Sequence, residues 1–393
     1  MHWQEMINLE KQVSGGDANT STLESLRRLA VTLSDLNEAS NNKHKTDGQK
    51  STGLPLSHWR ELPIDVSAAY MMFDDGSELI RATSTKYTLV GKINAAEGAK
   101  LAGDLRKGCE LISTGVLVLY SHPTGCGRSA RYFARQSSRA VVATVISLIQ
   151  SFVDGAAMEG NVGAQRTGAV WSACDSMKKV PKGNRSSMRR ELLTWCGECN
   201  ETMREFEEIL DLGPAPKTVT VNGEDNIDCG ARSDDFYDGM GTDDQYTDNE
   251  IPVAHACLAL DKCSRGTIGA ALKACECAGE VISALTSDRY ERKKALLQWT
   301  SDLHELARVV GEGVTELGVL LYPPFVPEKL ACQIDAQQQA VLVVHRHILD
   351  SAPATTEDTI PMPEEVTDLV TKLQGAIKTR TEEAVSALST IAH

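Results

Sequence analysis

The amino-acid sequence predicts an all-α protein, a two-lobed helical bundle with an acidic disordered linker between its lobes. Apolar residues recur at helical spacing along most of the chain, and no segment shows the alternation of a β-strand. One long acidic stretch carries too few apolar residues to fold by itself. A chain of 393 residues, 41% of them apolar, can bury a sizeable core without disulfides or structural metals.

The first half of the chain reads as a series of helices. Leucines spaced three and four residues apart predict an amphipathic helix over Ser21–Asn37, and the polar run 41–53 predicts a flexible linker. A helical block is predicted from about Pro55 to Phe73, with a turn at Asp74, Asp75 and Gly76. Further helices are predicted at about Leu101–Leu119, Gly127–Phe152, Gly168–Met177 and Arg185–Leu212.

An acidic segment separates the two predicted lobes. Residues 222–250 contain ten acids and one base, Arg232, which predicts a flexible linker. Helical periodicity returns at Ile251, and a later helix is predicted from about Pro327 to Leu349. The last helix opens at Pro363, a favoured first-turn residue. The predicted domains are 1–54 (N-terminal helix and linker), 55–215 (helical bundle), 216–250 (acidic linker) and 251–393 (C-terminal helical domain).

Charge and hydropathy disfavour several functional classes. A formal net charge of −14 gives no general attraction to nucleic acid or to anionic membranes. The most apolar stretch, Ala140–Val153, is shorter than the roughly 20 residues that a membrane span needs. Residues 1–13 lack the pattern of a signal peptide, and the eleven cysteines form no compact disulfide framework. We therefore expect reduced thiols and residence in the cytoplasm and nucleus.

Candidate metal and catalytic groups favour structural interpretations. Cys196 and Cys199 lie at helical spacing and could share one metal ion, but no second half-site follows, so we interpret them as part of a packed apolar stripe. Two other pairs point to nearly opposite sides of predicted helices: Cys275 with Cys277, and His345 with His347. No calcium loop, phosphate loop or catalytic triad stands out. We therefore predict a non-enzymatic protein without a cofactor.

One basic cluster interrupts the acidic surface. It could contact nucleic acid, an acidic partner or the acidic linker of the same chain, and a solvated loop is the simpler interpretation. Its members are Lys178, Lys179, Lys182, Arg185, Arg189 and Arg190.

Several short motifs, in order and spacing, resemble the cyclin-D-binding protein family. They are Val170-Trp171-Ser172-Ala173-Cys174, the entry Ile251-Pro252 followed by Cys257-Leu258-Ala259-Leu260, and Leu321-Tyr322-Pro323-Pro324. The resemblance covers about Ser57 to the C-terminus. It implies a two-lobed helical fold that binds D-type cyclins and signalling adaptors, restrains cell-cycle progression and resides in nucleus and cytoplasm. It also implies an inhibitory helix-loop-helix at Gly168–Leu212, which would bind helix-loop-helix factors.

The function predicted from these observations is protein binding that restrains the cell cycle and transcription. The alternative is a helical-bundle scaffold or cytoskeletal adaptor. The apolar stripe Met188–Leu210 cannot both face a partner and fill a bundle core in one conformation. The candidate partner-binding residues are Trp171, Leu192, Trp195, Met203, Phe206 and Tyr322.

Overall fold

The computed structural model is all-α in the part of the chain that it describes, which confirms the predicted fold class. The described residues are 18–42, 56–90, 94–121, 125–158, 160–214, 245–286, 289–350 and 362–391. Residues 215–244, which hold most of the predicted acidic linker, lie outside this part.

Ten α-helices follow one another within the described residues, with no strand among them. In chain order they are α1 Ala18–Asn42, α2 Ile64–Val90, α3 Ala95–Tyr120, α4 Arg128–Val153, α5 Val162–Lys178, α6 Gly183–Asp211, α7 Glu250–Ala284, α8 Tyr290–Leu320, α9 Pro327–Leu349 and α10 Glu364–Ser389. A short 3₁₀ helix, Ala156–Met158, precedes α5.

The chain divides into two compact units, Met1–Met188 (unit 1) and Arg189–His393 (unit 2). The boundary falls inside α6, whereas the predicted N-terminal bundle ends at residue 215. Helix α1, which the sequence analysis assigns to a separate N-terminal segment, contributes Leu23, Leu26 and Leu33 to the core of unit 1. The predicted domain limits otherwise stay a prediction.

Helices α1 to α5 form the bundle of unit 1, and α2 and α3 approach most closely at their glycines. A Cβ atom on Gly76 would lie 2.7 Å from Ile112 and 2.9 Å from the carbonyl oxygen of Gly108. The predicted turn at Asp74–Gly76 is therefore wrong, since α2 continues through it. Gly76 marks a close helix crossing, where a side chain would not fit, and not the end of a helix.

Buried polar side chains join the loops that lead into α2, α4 and α6. Asn184, which is 1% exposed, donates through Nδ2 to the carbonyl oxygens of His58 (2.8 Å) and Gly125 (3.0 Å) and accepts from the amide of Gly127 (2.7 Å). The Tyr70 hydroxyl donates to the Pro181 carbonyl oxygen at 3.1 Å. These bonds join three loop segments of unit 1 in one arrangement.

Helices α7 to α10 form the bundle of unit 2, and a packed turn precedes α7. Tyr246 is fully buried and donates to the carbonyl oxygen of Leu321 at 2.8 Å. The Glu250 carboxylate accepts from the amides of Thr247 (2.9 Å) and Phe325 (2.8 Å). Tyr246 and Glu250, which the sequence placed in the predicted linker, are therefore packed against the α8–α9 turn.

Candidate partner-binding surfaces

Trp171 lies on α5 at the seam with α2, on the surface of unit 1. Its side chain is 37% exposed, and the guanidinium carbon of Arg81 lies 5.6 Å from the ring centroid. Arg81 also forms an ion pair with Asp175, one turn beyond Trp171. The cation–π contact and the ion pair hold the indole in place while part of it stays open to a partner.

Ion pairs continue along the same seam on one side of Trp171. Lys178 lies 3.9 Å from Glu78, and Lys182 lies 3.1 Å from Asp74. Two members of the predicted basic cluster are thus paired within unit 1. A third member, Arg189, lies 3.2 Å from Glu276 in unit 2. The proposed docking of the acidic linker involves residues outside the described part and stays a hypothesis.

The candidate residues on α6 are buried. Leu192, Trp195, Met203 and Phe206 are each at most 8% exposed. The indole of Trp195 lies over the backbone of Gly311 on α8, where an added Cβ would come within 3.0 Å of the ring. In this conformation the four side chains fill the interior and do not face a partner.

Tyr322 is the candidate residue in the turn between α8 and α9, and it is 47% exposed. Its ring packs edge-on against Phe206, with centroids 5.2 Å apart, and its hydroxyl donates to the Glu205 carboxylate. That hydrogen bond raises the pKa of Tyr322. The structure therefore brings two predicted residues, Phe206 and Tyr322, into contact in unit 2, while Trp171 belongs to unit 1.

A buried histidine connects α6 to α8 beneath the Trp195 ring. His304 Nε2 lies 3.3 Å from the Glu191 carboxylate and Nδ1 lies 3.8 Å from that of Glu305, with the Trp195 and His304 ring centroids 5.2 Å apart. Burial acts to lower the pKa of His304, but the two carboxylates outweigh it and the pKa is raised. Sequence reasoning missed this contact because its partners are more than 100 residues apart.

Asp261 is a fully buried acid on α7. Neither of its carboxylate oxygens has a hydrogen-bond partner in the described part of the chain. Burial raises the pKa of this carboxyl well above its usual value, because the charged form loses its hydration. In the sequence, an aspartate next to the apolar residues Cys257 and Leu260 could have indicated this buried acid.

The cysteine and histidine pairs considered in the sequence lie buried or partly buried in α6, α7 and α9. Burial raises the pKa of Cys199 to about 12. His345 is buried, with Nε2 2.8 Å from the Thr267 hydroxyl, and burial lowers its pKa to about 4. Among the described residues no three His, Cys, Asp or Glu side chains converge on one point.

A groove of about 550 Å³ lies between α8 and α9 in unit 2. Of its lining residues, only His347 was considered in the sequence, as half of a possible metal pair with His345. The lining side chains are Ala295, Gln298, Trp299, Asp302, Leu306, Val343, Arg346, His347 and Asp350. Separately, no described helix is long and apolar enough to cross a lipid bilayer.

Comparison with known proteins identifies a family model and relatives that are similar to this chain. Residues 73–212 match the family model described as Grap2 and cyclin-D-interacting, N-terminal. The resemblance to the cyclin-D-binding protein family is confirmed. A Xenopus laevis protein named cyclin-D1-binding protein 1 homolog is 23% identical over 245 residues, 61% of this chain and 68% of that protein. A Danio rerio protein of the same name is 22% identical over 278 residues, 69% of this chain and 76% of that protein.

The segment that matches the cyclin-D-interacting family model runs from Phe73 in α2 to Leu212, just beyond α6. It includes Trp171 and the four buried candidates of α6. Tyr322 and the α8–α9 groove lie beyond it. The family match therefore covers most of unit 1, and only the α6 portion and Leu212 of unit 2.

Proposed function

We propose that this chain is a non-enzymatic protein-interaction protein that binds D-type cyclins. The observation that carries the proposal is its similarity to two relatives that are both named as cyclin-D1-binding proteins and are matched over 68% and 76% of their lengths. The family-model match over residues 73–212 supports the same role. The mechanism is sequestration of, or competition for, the partner protein.

The proposal extends to the consequences of binding. By sequestering a cyclin, the protein restrains cell-cycle progression and transcription, and it does so in the cytoplasm and the nucleus. Signalling adaptors and helix-loop-helix factors are further proposed partners. These extensions rest on the family resemblance alone.

Exposure decides which candidate residues can contact a partner in the described conformation. Trp171 and Tyr322 are 37% and 47% exposed and keep polar edges, which suits a partner contact. Tryptophan and tyrosine are also the residues that most often dominate binding energy in interfaces. The four buried residues of α6 could meet a partner only if α6 left the unit 2 core.

The test is binding of purified full-length protein to a purified D-type cyclin by isothermal titration calorimetry. If Trp171 is a dominant contact, Trp171→Ala should weaken binding by about 2 kcal/mol, roughly 30-fold in Kd. Tyr132→Ala, an aromatic of unit 1 that is 40% exposed, is the matched control and should bind like the wild type. Circular dichroism checks that both variants stay folded.

Each outcome decides a separate point. A folded wild type that does not bind any D-type cyclin contradicts the proposed function. Wild-type binding that survives Trp171→Ala moves the contact to another surface. A double variant, Leu192→Glu with Met203→Glu, should unfold unit 2, since both side chains are buried; if it stays folded, the burial of α6 is wrong.

A further inference from the structure

We propose that the groove between α8 and α9 is the docking site for a basic amphipathic helix of the partner protein. The proposal rests on the proposed function for the identity of that partner, but its chemistry follows from the groove itself. Three features carry it: a rigid aromatic floor, an apolar end and an excess of carboxylates that lack ion pairs.

Two side chains and two backbone carbonyls lock the floor. The rings of Trp299 and His347 are stacked, with centroids 5.2 Å apart and planes inclined by 15°. Trp299 Nε1 donates to the carbonyl oxygen of His347 at 3.3 Å, and His347 Nε2 lies 3.1 Å from the carbonyl oxygen of Trp299. Because a carbonyl can only accept, His347 carries its hydrogen on Nε2. A floor fixed in this way loses little entropy when a partner binds.

The groove has the length and spacing of a helix-binding site. Its residues on α8 run from Ala295 to Leu306, which is about 16 Å at 1.5 Å per residue. The partly buried Leu306 and Val343, which is 40% exposed, form its apolar end. The walls are side chains of two helices, with no free strand edge for an extended peptide, so the fitting occupant is about three turns of helix.

The charged side chains of the groove determine which charge a bound helix should carry. Asp302 and Asp350 line the groove together with Arg346, and none of these three side chains forms an ion pair with another described residue. Two carboxylates therefore accompany one guanidinium in the groove. Carboxylates beside an apolar floor favour lysine or arginine next to leucine-like side chains. The net charge of −14 on the chain adds attraction at long range.

A model peptide tests this chemistry without reference to the partner. A fluorescent leucine/lysine amphipathic helix of about four turns should bind the full-length protein, whereas the leucine/glutamate peptide of the same length should not. Anisotropy gives the Kd, and a photo-crosslinking group on the peptide, read by mass spectrometry, should label α8 and α9. Absence of binding, equal binding of both peptides, or labelling elsewhere would overturn the docking site.

A pair of double variants separates the groove from general charge. Asp302→Lys with Val343→Lys should raise the Kd of the lysine peptide by about tenfold or more, since one charge contact and one apolar contact are lost. Glu382→Lys with Val385→Lys makes the same change of charge on exposed residues of α10 and should leave the Kd near that of the wild type. Equal weakening by both pairs would show attraction to overall charge only and overturn the groove.

The same three proteins, the wild type and the two double variants, are checked for folding by circular dichroism and are then measured against a D-type cyclin. Loss of cyclin binding in the groove variant, with binding kept in the α10 variant, supports the groove as the cyclin site. Wild-type binding that the groove variant retains overturns that assignment. A wild type that binds the lysine peptide but no cyclin contradicts the proposed function and leaves the docking site standing.

Discussion

Replacement of Asn184 by alanine tests the polar network that leads into α6. The substitution removes three buried hydrogen bonds, two to the carbonyl oxygens of His58 and Gly125 and one from the amide of Gly127. The Gly125 oxygen keeps one bond, from the amide of Ser57 at 3.3 Å. Each buried polar group without a partner costs about 1–3 kcal/mol, and partial entry of water lowers the total, so we expect a loss of about 3–5 kcal/mol. This is a large part of the stability of a typical domain.

Urea unfolding followed by circular dichroism measures that loss, and hydrogen exchange at the Gly127 amide reports it locally. Asn161→Ala is the matched control, because Asn161 precedes α5 without a side-chain capping bond and should cost about 0.5 kcal/mol or less. If Asn184→Ala unfolds within about 1 kcal/mol of the wild type and the Gly127 amide stays protected, the reasoning about this network is refuted.

Three more substitutions test the packing and the buried charges of the two units by urea unfolding. Gly108→Ala should destabilise by about 1–3 kcal/mol, because its Cβ would lie 2.5 Å from Ile80. Gly103→Ala on the same helix meets nothing within 4 Å and should stabilise by about 0.5–1 kcal/mol. Equal effects of the two substitutions would refute the close helix crossing. Because the pKa of Asp261 is raised on folding, stability should fall as pH rises above about 4, the pKa of an aspartate in the unfolded chain. Asp261→Leu should remove this pH dependence and raise stability at neutral pH. A destabilised variant would contradict the prediction. Because the pKa of His304 is raised on folding, its contribution to stability is complete below about pH 6.5 and is lost as pH rises through the pKa of the folded state. His304→Gln should lose this pH dependence. An unchanged profile of stability against pH would contradict the prediction.

The sequence predicted the helices well where apolar spacing was long and the ends carried clear signals. Helix α9 begins at Pro327 and ends at Leu349, as predicted, because proline at the first turn and a continuous stripe act together. Helix α2 was misread because the acids and glycine at 74–76 have the composition of a turn. Only the neighbouring helix, which needs a residue without a side chain at Gly76, explains why the helix continues.

The candidate surfaces were less predictable, because they depend on which face of each helix is covered. The stripe with Leu192 and Phe206 was recognised, but its burial depends on residues of α8 that lie more than 100 positions away. The groove was missed for a related reason. Trp299 and His347 lie 48 residues apart, and each alone looks like an ordinary member of an amphipathic helix.

Energetics favours partner contacts at exposed sites over release of α6. Exposing Leu192, Trp195, Met203 and Phe206 would cost about 1.5–3 kcal/mol for each, roughly 6–12 kcal/mol together, which is comparable to the whole stability of a domain. A partner would have to bury the entire stripe again before any net affinity appeared. Trp171 and the α8–α9 groove need no such opening, because their side chains are already held in place and already reachable by a partner. Binding through them should therefore leave the hydrogen-exchange protection of α6 unchanged, whereas release of α6 would abolish it.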